Sequence, residues 1–317
     1  LNNSKHEFIA GIGSIKPRHR SCVATIGSFD GVHLGHQAIL ARLREEGQKL
    51  GLPTLVMLFE PQPHEYFSRE KAPPRLMRLR EKVAAIFDLG IDRVLCLRFN
   101  EHLRSLSAQA FIDDILVRQL GVAHLEIGDD FRFGCDRAGD FALLQQAGRQ
   151  HGFAVRDTRT FVLHGERISS TRVRQLLEAN NLDGAAQLLG RRFSVTGRVI
   201  HGKRLGRTLN VPTANIGLGR YRSPVRGVYV VDVESGGQRW QAVANVGVRP
   251  TVNGTSKPLL EVHILDYSGE LYGKWLKVEF RHKLRDEKKF TSVDELKQQL
   301  HLDIAAARDY FVQAKNL

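Results

Sequence analysis

The sequence has little cysteine, no long apolar run and a deficit of acidic residues. Three cysteines in 317 residues, Cys22, Cys96 and Cys135, are too few and too scattered for a disulfide framework or a zinc site. They suit a reducing compartment. The longest aliphatic or aromatic run is Leu55-Val56-Met57-Leu58-Phe59, far short of the roughly 20 residues a membrane helix needs. Residues Phe8 to Ile15 are the one candidate leader core. Two glycines break them, and Lys16-Pro17-Arg18 follows in place of a small-residue cleavage site. The expectation is a cytoplasmic protein without a membrane segment. Against 34 Asp plus Glu stand 47 Lys plus Arg, a net charge of +13. Such a balance implies anionic partners, either phosphorylated small molecules or nucleic acid. The chain lacks a long basic run and a basic stripe interleaved with aromatics, so a basic solvated face is the plainer reading and nucleic acid is not the expected partner. Oligomeric state is left open.

The apolar fraction of 42% and charged fraction of 26% are those of a globular chain. They exclude a collagen-like repeat, a coiled coil and a disordered polymer. The length suggests about two domains. Residues 22–180 alternate short apolar strands with helical stretches. Strands are predicted at Cys22–Ile26, Thr54–Phe59, Arg93–Leu97, Ala123–Ile127 and Phe153–Asp157. Helices are predicted at Gly35–Leu50, Arg80–Leu89, Ser107–Leu120, Phe141–Gln150, Thr171–Ala179 and Gly184–Leu189. That order argues for βαβ units and a parallel sheet. From Phe193 onward the helical period disappears. Short alternating segments follow at Ser194–Ile200, Gly227–Val233, Trp240–Val246, Leu259–Leu265 and Leu276–Phe280, which suggest an antiparallel barrel or sandwich. A final helix is expected over Val293–Ala314, broken near His301. The fold class is therefore α/β plus β, with domains at 1–186 and 187–317.

Two stretches of the first half carry phosphate chemistry. Strand Cys22–Ile26 runs into Gly27-Ser28-Phe29-Asp30-Gly31-Val32-His33-Leu34-Gly35-His36-Gln37, a glycine-punctuated turn that opens a helix. Helix N-termini bind anions through free N–H groups and the dipole. Gly31 and Gly35 allow close approach, and His33 and His36 can donate to oxygens whose charge grows as pyrophosphate leaves. Zinc binding by the histidines lacks a third ligand at suitable spacing; a tight turn with exposed histidines is the other alternative. The second stretch is Ile168-Ser169-Ser170-Thr171-Arg172-Val173-Arg174. Ser169, Ser170 and Thr171 suit a helix cap. Arginines in a first helical turn oppose the dipole, so an anion would compensate Arg174. Phe59-Glu60-Pro61-Gln62-Pro63-His64 and Gly128-Asp129-Asp130-Phe131-Arg132-Phe133-Gly134 each follow a strand. Phe131 and Phe133 could stack on a flat ring, although phenylalanine is more often core.

The second half has its own basic, glycine-rich loop, from Gly197 through Gly202, Lys203 and Gly206 to Arg207, followed by Pro212-Thr213-Ala214-Asn215. A basic turn is the plain alternative. Thr213 and Asn215 offer hard oxygens on one side of an extended segment, suited to Mg²⁺ beside phosphates. In Leu260-Glu261-Val262-His263-Ile264, alternation puts Glu261 and His263 on the face opposite the apolar residues.

With these motifs in place, the chain resembles the prokaryotic bifunctional riboflavin kinase/FAD synthetase family over about residues 20–312. The family's Gly-x-Phe-Asp-Gly-Val-His-x-Gly-His signature corresponds to Gly27–His36, and its Ile-Ser-Ser-Thr-x-x-Arg signature to Ile168–Arg174. The resemblance implies a nucleotidyltransferase-like α/β module and a Greek-key barrel kinase. It implies that ATP and Mg²⁺ are used, that riboflavin becomes FMN in the barrel, and that FMN becomes FAD in the first module. Pro212–Asn215 would be the metal element, with Thr213 and Asn215 as ligands, and Glu261 the base. His33, His36 and Arg174 would stabilise the departing pyrophosphate. Gly27, Phe29, Asp30, Gly31, Gly35, Ser169, Ser170 and Thr171 would complete that ATP site. Gly197, Gly202, Lys203, Gly206 and Arg207 would serve ATP in the kinase. The flavin of the first module is expected near Pro63, Asp130, Phe131 and Phe133. Two positions depart from the family pattern: Gln62 stands where many members have His, and Asn210 where relatives often have Gly.

Overall fold

A computed structural model describes residues 6–314, apart from 69, 129, 159–161, 164, 202–210, 220–221 and 251–255. The chain forms two compact units. One comprises Leu1–Pro73 and Met77–Ser169, the other Pro74–Leu76 and Ser170–Leu317.

The first unit is built on a six-stranded sheet: β1 (Glu7–Ala10), β2 (Cys22–Ile26), β3 (Thr54–Glu60), β4 (Arg93–Arg98), β5 (Val122–Ile127) and β6 (Ala154–Asp157). The spatial order is β1-β4-β3-β2-β5-β6, and every pair is parallel. The fully buried Cys22-Val23-Ala24-Thr25-Ile26 of β2 reads as a continuous apolar run because both faces are covered. Val23 packs with Leu40 and Leu43 of α1 (Leu34–Leu50) and with Val83 and Ile86 of α3 (Leu79–Asp88). Ala24 and Ile26 face Ile112, Ile115 and Leu144 on the other side. The order reverses between β2 and β5, which makes the crevice beyond their carboxyl ends the switch point where open α/β sheets bind ligands.

Three features of this unit depart from the sequence reading. Residues 7–10, of which Phe8–Ala10 belong to the candidate leader core, form an edge strand paired with β4. A short helix, α2 (Pro63–Phe67), follows β3. The helix expected over Ser107–Leu120 has its cap where predicted, with Ser107 Oγ accepting from the Ala110 amide at 3.0 Å. It widens after α5 (Ala108–Ala110, following α4 at Glu101–Ser105) into a π-helical segment, Phe111–Gln119. The first unit also holds α6 (Phe141–His151) and a small hairpin of β7 (Val162–Leu163) and β8 (Glu166–Arg167).

The second unit is a closed antiparallel barrel: β9 (Ser194–Ile200), β10 (Ala214–Gly217), β11 (Gly227–Ser235), β12 (Gln238–Pro250), β13 (Ser256–Ile264) and β14 (Trp275–Arg285), in the order β10-β13-β12-β11-β14-β9. Strands β11 to β13 form a meander and β14 returns beside β11, which is a Greek key. Inside lie Val195, Ile216, Tyr229, Val231, Ala244, Leu260, Val262 and Phe280. Helices α7 (Ser170–Glu178) and α8 (Leu182–Leu189) add Val173, Leu177, Ala185 and Leu189 to the same core. The outward residues Val228, Val230 and Val243 are buried beneath Ala307 and Phe311 of α9 (Val293–Gln313).

The break expected near His301 is absent: α9 is one helix of 21 residues. Ser292 caps it, accepting from the Glu295 amide at 3.1 Å. Its middle is tied to the barrel where the Arg285 guanidinium donates to both oxygens of buried Asp303 at 2.8 and 2.7 Å. Among the described residues, no helix is long and apolar enough to cross a membrane.

Candidate active sites

In the first unit the site grows from the end of β2. Gly31 has φ +88, a conformation only glycine adopts without strain. Phe29 and β-branched Val32 also hold positive φ, at 46° and 42°. Such geometry survives only where surroundings over-determine it. Here both side chains are buried in the core beneath α1, and Asp30, wholly buried, accepts from the Met77 amide at 3.0 Å. Asp30, expected at ATP, thus ties the loop to the chain before α3.

His33 is the N-cap of α1, its Nδ1 accepting from the His36 amide at 3.3 Å. That bond leaves the proton of a neutral His33 on Nε2. The two imidazoles stack, centroids 3.6 Å apart and planes within 15°. Burial holds His36 well below the usual histidine range, helped by neighbouring His33 and the buried Lys82. His36 is therefore neutral at pH 7, and its Nδ1 is buried with no partner among the described residues. A stacked imidazole pair at a helix N-terminus, beside a loop that leaves Gly31 and Gly35 without side chains, can receive an anion.

The rest of the carboxyl edge is more varied. Pro63 opens α2, and Gln62 before it is buried, with Nε2 lacking a partner among the described residues, while His64 is exposed. A buried amide donor at this edge can meet an anion as an imidazole would. Asp130 is exposed and paired with Arg167 at 3.2 Å. Phe131 and Phe133 stack at 5.6 Å, but Phe133 is buried against Phe111, so only Phe131 has an open face. The structure adds an aromatic group that the sequence reading missed. Phe67 is 64% exposed and joins Tyr66 and Phe99, with centroids 5.2–6.0 Å apart, after β3 and β4. Of the second signature, Ser169 ends the first unit, whereas Ser170, Thr171 and Arg174 belong to the second. Arg174 Nε donates to the Pro74 carbonyl at 2.7 Å.

In the barrel the site is assembled across strands. Glu261 on β13 lies opposite Asn215 on β10 and Asn245 on β12. Its alternation is as expected: Leu260, Val262 and Ile264 are buried, Glu261 and His263 half-exposed. His263 Nδ1 contacts the Pro212 carbonyl at 2.9 Å, fastening β13 to the Pro212–Asn215 segment. Asn215 is buried, its Oδ1 has no partner among the described residues, and Thr213 stands two residues before it. An orphaned amide oxygen and a hydroxyl beside a carboxylate fit Mg²⁺, which takes oxygen ligands. Gly197 lies buried within β9. Gly202, Lys203, Gly206 and Arg207, like Asn210, lie outside the described residues.

Thr213 and Glu261 open into a cleft of about 190 Å³ between the barrel wall and α9. Val228, Val243, Phe290, Leu296, Leu300 and Ile304 give it apolar sides, and Asn245 and Arg285 polar ones. A larger cavity of about 410 Å³, beside Asn180, Arg226 and Lys283, holds none of the motif residues. Lys283 and Arg226 there are already paired with Asp286 and Glu287, at 2.5 and 3.8 Å. The smaller cleft is the one lined by motif residues.

Comparison with known proteins agrees with both halves. Residues 15–172 match the FAD synthetase family model and residues 189–311 the riboflavin kinase model. A bifunctional riboflavin kinase/FMN adenylyltransferase of Pseudomonas fluorescens is 55% identical over 302 residues, 95% of this chain and 97% of that one. The protein of the same name from Escherichia coli K12 is 52% identical over 307 residues, covering 96% and 98%. A crystal structure from Streptococcus pneumoniae, described as a macrolide-efflux protein, superposes with a TM-score of 0.77 at 31% identity, covering 96% of this chain and 99% of that one. The chain belongs to the bifunctional riboflavin kinase/FMN adenylyltransferase family, its FAD synthetase module first and its riboflavin kinase module second.

Proposed function

We propose a residue-by-residue division of the two reactions, carried by one observation: each half has its own cluster of motif residues, the stacked His33–His36 pair in one and the Asn215–Glu261 pair in the other. In the barrel, the flavin ring enters the apolar cleft beneath α9 and the ribityl 5′-hydroxyl reaches Glu261. The carboxylate takes the hydroxyl proton as the oxygen bonds the γ-phosphorus of ATP and ADP leaves. Thr213 and Asn215 would hold Mg²⁺, which supplies charge neutralisation for the phosphates when bound. The glycine-rich loop containing Gly202, Lys203, Gly206 and Arg207 is assigned to ATP on its motif, together with Gly197.

In the first module, a phosphate oxygen of FMN attacks the α-phosphorus of a second ATP and pyrophosphate departs. The FMN phosphate is already anionic, so no base is needed. His33 and His36 donate N–H groups to the leaving oxygens. Ser169, Ser170, Thr171 and Arg174 are assigned to this step on their motif alone. Gln62 offers its buried amide to the same phosphates. Phe131, Phe67 and Phe99 offer faces for the isoalloxazine, beside Pro63 and Asp130. We place the catalytic boundary near residue 187 and the reaction in the cytoplasm, where the free thiols of Cys22, Cys96 and Cys135 suit the redox poise. Incubation with riboflavin, ATP and Mg²⁺, followed by chromatography, should show FMN and then FAD. Absence of either product from folded protein overturns the reading.

A further inference from the structure

Strand β13 carries Glu261 between two asparagines, Asn215 on β10 and Asn245 on β12. Directly opposed residues share a face, with Cβ atoms about 4.5–5.5 Å apart. Glu261 is thus flanked by a carboxamide on each side. Both amide oxygens, Asn215 Oδ1 and Asn245 Oδ1, are buried without a partner among the described residues. A buried acceptor left unpaired is costly, and native proteins seldom carry two around one carboxylate without use.

The two asparagines face different surroundings. Asn215 adjoins Thr213 on the Pro212–Asn215 segment and does not line the cleft under α9. Asn245 does line it, among Val228, Val243, Phe290, Leu296 and Ile304. We propose that Asn245 orients the ribityl chain of riboflavin, its side-chain oxygen accepting a hydrogen bond from a ribityl hydroxyl. The proposal rests on the reading of this cleft as the riboflavin site. A chain running from a ring among the apolar side chains to Glu261 passes Asn245. Phosphate oxygens are acceptors and cannot satisfy an amide oxygen, whereas each ribityl hydroxyl is a donor. Accepting one hydroxyl would fix the torsion of the chain and bring the terminal hydroxyl to the carboxylate.

The test uses the full chain and the kinase step. Riboflavin kinetics are measured for Asn245→Ala and Asn245→Leu. Lumiflavin, the same ring system with a methyl group in place of the ribityl chain, serves as a competitive inhibitor. Loss of one neutral hydrogen bond should raise the riboflavin KM about tenfold, with the lumiflavin inhibition constant and the Mg²⁺ requirement unchanged. Three results would overturn the proposal. Unchanged riboflavin kinetics would show that Asn245 makes no contact. A parallel rise in the lumiflavin constant would show that it only shapes the cleft. A raised Mg²⁺ requirement would make it a metal ligand instead. If leucine overpacks and unfolds the barrel, alanine decides. Leu300→Trp separates the underlying reading: filling the cleft should weaken both riboflavin and lumiflavin. If it weakens neither, the cleft is not the flavin site and the proposal falls with that reading.

Discussion

In the α/β unit, the stacked histidines and the glycines proposed for phosphate lie within one turn, Gly27–Gln37, held by positive-φ backbone and the start of α1. In the barrel the proposed site residues come from β10, β12, β13 and the approach to α9, and the row Asn215, Glu261, Asn245 forms only because three strands pair in register. The first site is therefore carried by backbone shape, and the second by side chains that neighbours must align. A local site can be recognised and damaged one residue at a time. A distributed site responds to anything that shifts a strand or the covering helix.

The largest expected effects separate the two sites completely. Glu261→Gln keeps the size of the side chain and removes the proposed base, which should cost about 10²–10⁴ in riboflavin phosphorylation. Supplied FMN should still be adenylylated at a near-normal rate. His36→Ala removes one donor and should cost about 10²–10³ in adenylylation, so that FMN accumulates. Loss of the opposite activity by either folded variant breaks the comparison. Next come Thr213→Ala and Asn215→Ala, which should raise the Mg²⁺ concentration needed for half-maximal kinase activity and leave adenylylation intact. An unchanged titration in both variants removes the ligand assignment.

A smaller effect tests the aromatic group that the sequence reading missed. Aromatic pairing is worth about 0.5–1.5 kcal/mol, so Phe67→Ala should raise the FMN KM of adenylylation about 2–10-fold. The riboflavin KM of the kinase should stay constant, and a shift there would misplace the residue.

The smallest effect concerns the helix that covers the barrel cleft. Backbone and hydroxyl donation from Thr291, with Lys288, lowers the Glu295 carboxyl from 4.5 to about 2. A depressed carboxylate contributes stability above its unfolded value, and that stability is lost as pH falls through the folded one. Glu295→Gln should therefore lower the thermal midpoint of the barrel near neutral pH. The gap from the parent chain should close between about pH 4.5 and 2. A gap that persists at pH 2 would make the loss steric rather than electrostatic.

Much of the first candidate site was legible because its signals are local: a buried strand, Gly31 and two histidines three apart. The barrel was legible as alternation, which put Glu261 on the correct face. Strand β10 was not predicted as a strand, since four residues, Ala214–Gly217, after a proline carry too little pattern. Asn245 was read only as part of Trp240–Val246, because its meaning depends on standing opposite Glu261. Phe67 gave no signal, since exposure is a property of the fold. Asp30 reads in the sequence as part of the ATP motif, and its bond from the Met77 amide, 47 residues away, is visible only in the fold.

By itself the sequence determined most of the parts: the central strands and main helices, the Ser107 cap, the glycine-punctuated turn Gly27–Gln37, the change from helical to alternating pattern, and both family signatures. These follow from backbone sterics and side-chain period, which act over a few residues. Tertiary structure alone decided that α7 and α8 pack into the barrel core, that α9 runs unbroken over the cleft, and that Asn215, Glu261 and Asn245 stand in one row. Those outcomes depend on pairing residues far apart in the chain. Register is selected by which arrangement buries the whole apolar set, since a one-residue slip would turn every side chain to the other face.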